Sequence, residues 1–161
     1  MNYREHKWSS LFRLLVQWIR TSDPQKKFPL EIQLMGWGRK HSRWLRKKFQ
    51  RRIFYRYNCD ISPSAQISPS VKFPHPTGVV IGSNAIIDKE CIIYQQVTIG
   101  SNFGDDNSMA HLEQGTKVGA GAKIIGGITV GEQCVIGTSA IVTKDVPSHC
   151  MVIGANKIIH K

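Results

Sequence analysis

The sequence predicts a mostly β protein, a parallel β-helix of about four coils behind a short basic helical N-terminal region. Two observations carry that prediction. An apolar residue recurs every six positions from Ile61 to Val142, and the charge of the chain changes abruptly near residue 60. Together they divide the 161 residues into a basic, aromatic arm (1–57) and a neutral repeat domain (58–161).

The charge split is sharp. Residues 1–60 hold 15 Lys and Arg against 4 Asp and Glu, and residues 61–161 hold 7 of each, so the whole net charge of +11 belongs to the first segment. All four tryptophans are there too (Trp8, Trp18, Trp37, Trp44). Within it, Trp8, Leu11, Leu15 and Trp18 fall at helical spacing with Phe12 and Ile19 beside them, and residues 37–57 form a second helical candidate. Basic side chains interleaved with aromatics fit three roles: a helical cap on the repeats or a neighbouring subunit, a peripheral membrane contact on anionic lipid, or nonspecific nucleic-acid binding. The last is the least expected, since no nucleic-acid fold motif is present. No apolar run approaches the roughly 20 residues of a membrane span, and no signal-peptide cleavage pattern follows LFRLLVQWI. Cys59, Cys91, Cys134 and Cys150 show neither CxxC pairing nor metal-ligand spacing, so no metal is expected and a reducing, cytoplasmic setting is.

The repeat is read directly. ISPSAQ, ISPSVK and FPHPTG open on Ile61, Ile67 and Phe73; after a two-residue slip, IGSNAI, IDKECI and IYQQVT open on Ile81, Ile87 and Ile93, reaching Ile99. LEQGTK restarts the ladder at Leu112, and VGAGAK, IIGGIT, VGEQCV and IGTSAI carry it to Val142. Thirteen apolar residues thus keep phase, and the fifth position of each block is small or β-branched, from Ala65, Val71 and Thr77 to Cys134 and Ala140. Period six suits neither a helix nor an alternating hairpin, and an ordinary Val/Ile-rich β-sandwich would not keep this phase. A short strand plus a turn, taken three times, closes a triangular coil with the opening residue inward and Gly or Asn at the corner; stacked coils bury one aliphatic column. Cys91 and Cys134 fall on the small inward position and read as core fillers.

The segments DISPSAQI, HPTGVVIG, YQQVTIG, GAGAKIIGGITVG and IVTKDVP, in that order across residues 58–154, resemble the left-handed β-helix hexapeptide-repeat acyltransferases. The branch resembled is the serine acetyltransferase-like one, which includes capsule and exopolysaccharide O-acetyltransferases. The resemblance implies a homotrimer with inter-subunit active sites, acetyl-CoA as co-substrate, and a histidine general base oriented by an aspartate fifteen residues upstream. His75 and Asp60 match those two positions. A hydroxyl is a poor nucleophile at neutral pH, so a base must take its proton as it attacks the thioester, and a carboxylate on the other ring nitrogen fixes the tautomer. Gly100, Ser101, Ala120 and Thr138 match positions lining the CoA groove, although the same residue types also suit plain coil corners.

The match departs in three places. The serine-specific enzymes carry a second histidine ten residues before Gly-Ala-Gly-Ala-Lys; here that position is Met109, and His111 stands two residues away. They place an aspartate before the base, here Pro74, and their long helical N-terminal domain is replaced by the basic arm. The expectation from these departures is a sugar or polysaccharide-precursor hydroxyl as acceptor, small or lipid-linked. Serine O-acetylation in cysteine biosynthesis stands as the alternative, and a non-catalytic β-helix assembly partner as the second. Pro74, His111, Asp105 and Asp106 are the candidate acceptor contacts, the two aspartates within the polar segment 100–111 that interrupts the ladder.

Overall fold

The computed structural model describes residues 3–103, 108–155 and 157–160. Three helices come first: α1 (Tyr3–Arg20), α2 (Pro24–His41) and α3 (Arg43–Tyr57). The second helical candidate of the sequence, 37–57, is divided at Ser42, which ends α2 and starts α3. Its N–H donates to the Gly38 carbonyl (2.8 Å), while its Oγ accepts from the Leu45 N–H (3.3 Å). A Cβ on Gly38 would strike the backbone of Arg46, so only glycine lets the two helices meet this closely. Asp23 caps α2 by accepting from the Gln25 N–H (2.9 Å), with Pro24 at the first helical position. That start lies well before residue 37, in a stretch whose apolar pattern is too weak to announce a helix.

The helices cap the β-helix through an aromatic stack. Phe28 of α2 sits edge-on to Tyr57 (4.8 Å) and to Phe73 of the first coil (5.0 Å). Leu45, Phe49, Ile53 and Tyr57, four apart along α3, form its buried stripe. On α1, Leu11 is buried and Leu15 and Trp18 pack against the core, whereas Phe12 and Ile19 face outward; the side chain of Trp8 lies outside the described residues.

The strands are mostly two residues long: β1 (Asp60–Ile61), β2 (Gln66–Ile67), β3 (Val80–Ile81), β4 (Ile86–Ile87), β5 (Ile92–Ile93), β6 (Thr98–Gly100) and β7 (His111–Leu112) come first. The rest are β8 (Lys117–Val118), β9 (Lys123–Ile125), β10 (Thr129–Val130), β11 (Val135–Ile136), β12 (Ile141–Val142), β13 (Cys150–Ile153) and β14 (Lys157–His160). They form three faces: β1-β3-β6-β9-β12 (face one), β2-β4-β7-β10 (face two) and β5-β8-β11-β13-β14 (face three). All pairings within them are parallel except the final β13–β14 return.

The inward columns follow the sequence ladder, and the ladder runs on past Val142. Face one stacks Ile61, Ile81, Ile99, Ile124 and Val142. Face two stacks Ile67, Ile87, Leu112, Val130 and Val146, and face three Phe73, Ile93, Val118, Ile136 and Val152. Each face therefore has five rungs, one coil more than the sequence suggested, because Val146 and Val152 continue the column after the spacing breaks. All of these residues are buried except Ile67, which is partly so. At roughly 1.5–3 kcal/mol per fully buried aliphatic side chain, the column is the main stabilising element of the domain. Corners differ from expectation. Glu90, Gln96, Gln133 and Ser139 adopt left-handed φ (64°, 59°, 55° and 57°) as well as Asn84 and several glycines. The stacked backbone hydrogen bonds hold these polar residues where their intrinsic preference, a penalty of about 1 kcal/mol, would not.

Candidate active site

The two-residue slip is a bulge at the corner between faces three and one. Phe73 and Ile81 both point inward, so the eight-residue step between them leaves two residues to be accommodated outside. Val79 takes the small inward position in place of Thr77, and Thr77 is exposed. His75 stands exposed at this bulge. Pro76 beside it is buried, and the Thr77 N–H donates to the His75 carbonyl (2.8 Å), closing a tight turn centred on Pro76. A rigid backbone thus presents a solvent-facing imidazole.

Successive coils stack in the same corner. The Gln96 N–H donates to the Thr77 carbonyl (2.9 Å), Gly121 to Gln95 (2.9 Å), and Ser139 to Ala120 (2.8 Å). This column brings His75, Ala120 and Thr138 into line along one edge of the β-helix. Tyr94 belongs to the same edge, its ring centroid 6.2 Å from the imidazole at 47°. Just around the corner on face one, Lys123 Nζ donates to the Gln96 carbonyl (2.8 Å) and to Thr98 Oγ1 (3.1 Å). Sequence reasoning passed over Tyr94 and Lys123 although both lie inside recognised segments. The signal for Tyr94 is register, since it lies about one coil after His75, whereas Lys123 pairs in register with Thr98 and Ile141, which carried no signal. Gly119 comes so close to the next coil that a Cβ would lie 2.7 Å from the Thr138 nitrogen, so its role is backbone packing, and Gly121 (φ 72°) is a true corner.

Other candidate residues lie elsewhere. Asp60 is exposed on β1, paired in register with Val80, and no hydrogen bond joins it to His75 among the described residues. Gly100 ends β6, paired in register with Ile125, and Ser101 follows it, so both stand at the opposite edge of face one from the corner that holds Ala120. Pro74 lines a crevice of about 470 Å³ beneath α2 with Gln25, Lys26, Pro29 and Leu30. His111 is on β7 in face two, the face opposite the His75 corner, with its Nε2 2.9 Å from Asp88 Oδ2. Met109, at the position of the second histidine, packs against Gly82. Asp105 and Asp106 lie outside the described residues.

The cysteines are structural. The Cys91 thiol donates to the Glu113 carbonyl (3.2 Å) and Cys134 to the Pro147 carbonyl (3.0 Å), and burial pushes the Cys59 and Cys91 thiols above their usual pKa. A protonated, enclosed thiol is not a nucleophile.

No family model matches the chain. It is similar to the serine acetyltransferase of Synechococcus elongatus, 42% identical over 97 residues, covering 59% of this chain and 39% of that protein. It is also similar to the serine acetyltransferase of Buchnera aphidicola subsp. Schizaphis graminum, 36% identical over 115 residues, covering 70% of this chain and 44% of that protein. The chain thus spans about two fifths of the length of these curated relatives. Among solved structures, the serine acetyltransferase of Brucella abortus superposes with a TM-score of 0.80 at 28% identity over 96% of this chain and 70% of that one. A serine acetyltransferase complexed with CoA gives 0.77 at 25% identity, covering 96% and 73%. The fold is therefore the left-handed β-helix of these proteins, with its helical N-terminal region.

These comparisons correct the expectation of a sugar acceptor and of the capsule and exopolysaccharide branch, because the relatives and structures named are serine acetyltransferases. At two of the departures the structure shows local packing: Met109 lies over Gly82, and Pro74 lines the crevice beneath α2.

Proposed function

We propose that the chain is an acetyl-CoA-dependent O-acetyltransferase whose acceptor is the hydroxyl of serine. The observation that carries this reading is the single corner column of His75, Ala120 and Thr138, found in a chain similar to serine acetyltransferases. His75 is its general base. The serine oxygen attacks the thioester carbonyl of acetyl-CoA while the imidazole takes its proton; the tetrahedral intermediate collapses, the carbon–sulfur bond breaks, and the imidazolium returns the proton to the departing CoA sulfur. Asp60 orients the ring and offsets its positive charge, through a contact that tightens when substrates bind. The small side chains of Ala120 and Thr138 leave the corner open for the CoA arm, with Gly100 and Ser101 along the other edge of face one.

In this reading the working unit is a homotrimer with active sites between subunits. In that assembly His111, which lies on the face opposite its own His75 and is held by Asp88, would serve a neighbour's site. The helical arm 1–57 and the β-helix 58–161 are its two units. The deciding experiment measures thiol release from acetyl-CoA with and without L-serine. Serine-dependent release that disappears in His75→Ala supports the proposal; release indifferent to serine, or to that substitution, overturns it.

A further inference from the structure

The helix α3 carries seven basic residues and no acidic one in fifteen (RWLRKKFQRRIFYRY). At 100° per residue, the side opposite its buried stripe presents Phe54, Lys47, Arg51, Trp44, Tyr55 and Lys48 within an arc of about 120°. Its three aromatics remain in water. Tyr55 is 76% exposed, Trp44 68% and Phe54 49%. Their ring contacts stay on this face: Phe54 meets Tyr55 at 5.3 Å, and Lys48 Nζ lies 5.0 Å from the Trp44 ring. Phe28 and Phe49 of the same arm are fully buried and Trp18 packs against the core, while Phe12 on α1 is a further exposed aromatic. A helix that simply faced solvent would need cations here but no aromatics.

We propose that this face of α3 docks on an anionic phospholipid surface. The aromatic rings would lie at headgroup depth, and Lys47, Lys48 and Arg51 would meet lipid phosphates and carboxylates. Charge complementarity and shape both favour this partner. A second copy would bring like charges together, which repel. A single nucleic-acid strand is held in a groove that tracks its backbone, whereas this face is convex and α3 lines neither of the two crevices between α2 and the first coils. A convex row of aromatics between cations suits a plane. The inference does not depend on the acetyl-transfer reading, since none of these residues belongs to the candidate active site.

The test is co-sedimentation of the full chain with vesicles of phosphatidylcholine alone and of phosphatidylcholine with phosphatidylglycerol, at low and high salt. Binding is expected on the anionic vesicles only, with loss at high salt. Lys47→Glu with Lys48→Glu and Arg51→Glu should weaken it at least about a hundredfold, each removed cation being worth roughly fivefold. Trp44→Ser with Phe54→Ser and Tyr55→Ser should also abolish it although the charge is unchanged, an effect that a purely ionic attraction would not show. Circular dichroism of both variants should match the parent, because every altered side chain is exposed. Equal binding to neutral vesicles, indifference to the aromatic substitutions, tighter retention by single-stranded nucleic acid, or self-association removed by the same substitutions would each overturn the proposal.

Discussion

His75 and Tyr94 stand beside each other on one corner of the coil, ring centroids 6.2 Å apart and tilted by 47°. No side-chain hydrogen bond or ion pair of the imidazole is present among the described residues, and the two rings come from successive coils. The rigid turn presents the candidate base, and the register of the stack supplies its ring neighbour from the next coil.

The first prediction separates base from support. His75→Ala should lower turnover by about 10²–10⁴-fold, the range of general-base catalysis, with CoA affinity nearly unchanged. Asp60→Asn should fall toward the lower end of that range. Tyr94→Phe keeps the ring and should be close to the parent, whereas Tyr94→Ala should cost about tenfold in kcat, equivalent to about 1.4 kcal/mol of lost positioning. Equal rates for Tyr94→Ala and the parent would remove its supporting role. Steady-state kinetics with acetyl-CoA titration reads all four.

A second prediction concerns the corner. Ala120→Leu and Thr138→Leu place bulk on a half-buried and an exposed position of the same edge, outside the aliphatic column. CoA binding, measured by calorimetry, should weaken at least about tenfold with thermal stability within a few degrees of the parent. A large loss of stability with unchanged CoA affinity would make these residues plain corners.

The arm contains an ion pair with one buried partner. Glu31 is fully buried, accepting from Arg52 Nε (2.6 Å) and from the indole N–H of Trp18 (2.9 Å). Arg52→Leu leaves that carboxylate uncompensated and should destabilise the fold by about 3–5 kcal/mol. Replacing both, Glu31→Leu with Arg52→Leu, should recover much of the loss. Urea titration of the three proteins would check it, and additive losses would refute the coupling.

The buried thiols give a pH dependence. Burial raises the Cys59 and Cys91 pKa above the reference of 9.0. Their contribution to stability is complete below the unfolded pKa and is lost as pH rises through the folded one, because the unfolded chain releases its protons first. Tm should therefore fall above pH 9, and less steeply in Cys59→Ala with Cys91→Ala than in the parent. In the native state neither thiol should react with iodoacetamide at neutral pH.

The sequence by itself determined the coil. Thirteen apolar residues in phase can be buried together only if each sixth residue turns inward, and the charge break at residue 60 separates that coil from the arm. It also singled out His75, through the resemblance of HPTGVVIG to an acyltransferase segment and its place at the slip in the ladder. The tertiary structure decided what stands near what. Register between coils is a property of stacked backbones, and it set Tyr94 beside His75, aligned Ala120 and Thr138, and sent His111 to the opposite face. Local signals were too weak to show that Val146 and Val152 extend the column after the spacing breaks, or that Glu90 and Gln96 turn corners expected of Gly or Asn. In both cases cooperative hydrogen bonding between coils overrides a local preference worth only about 1 kcal/mol.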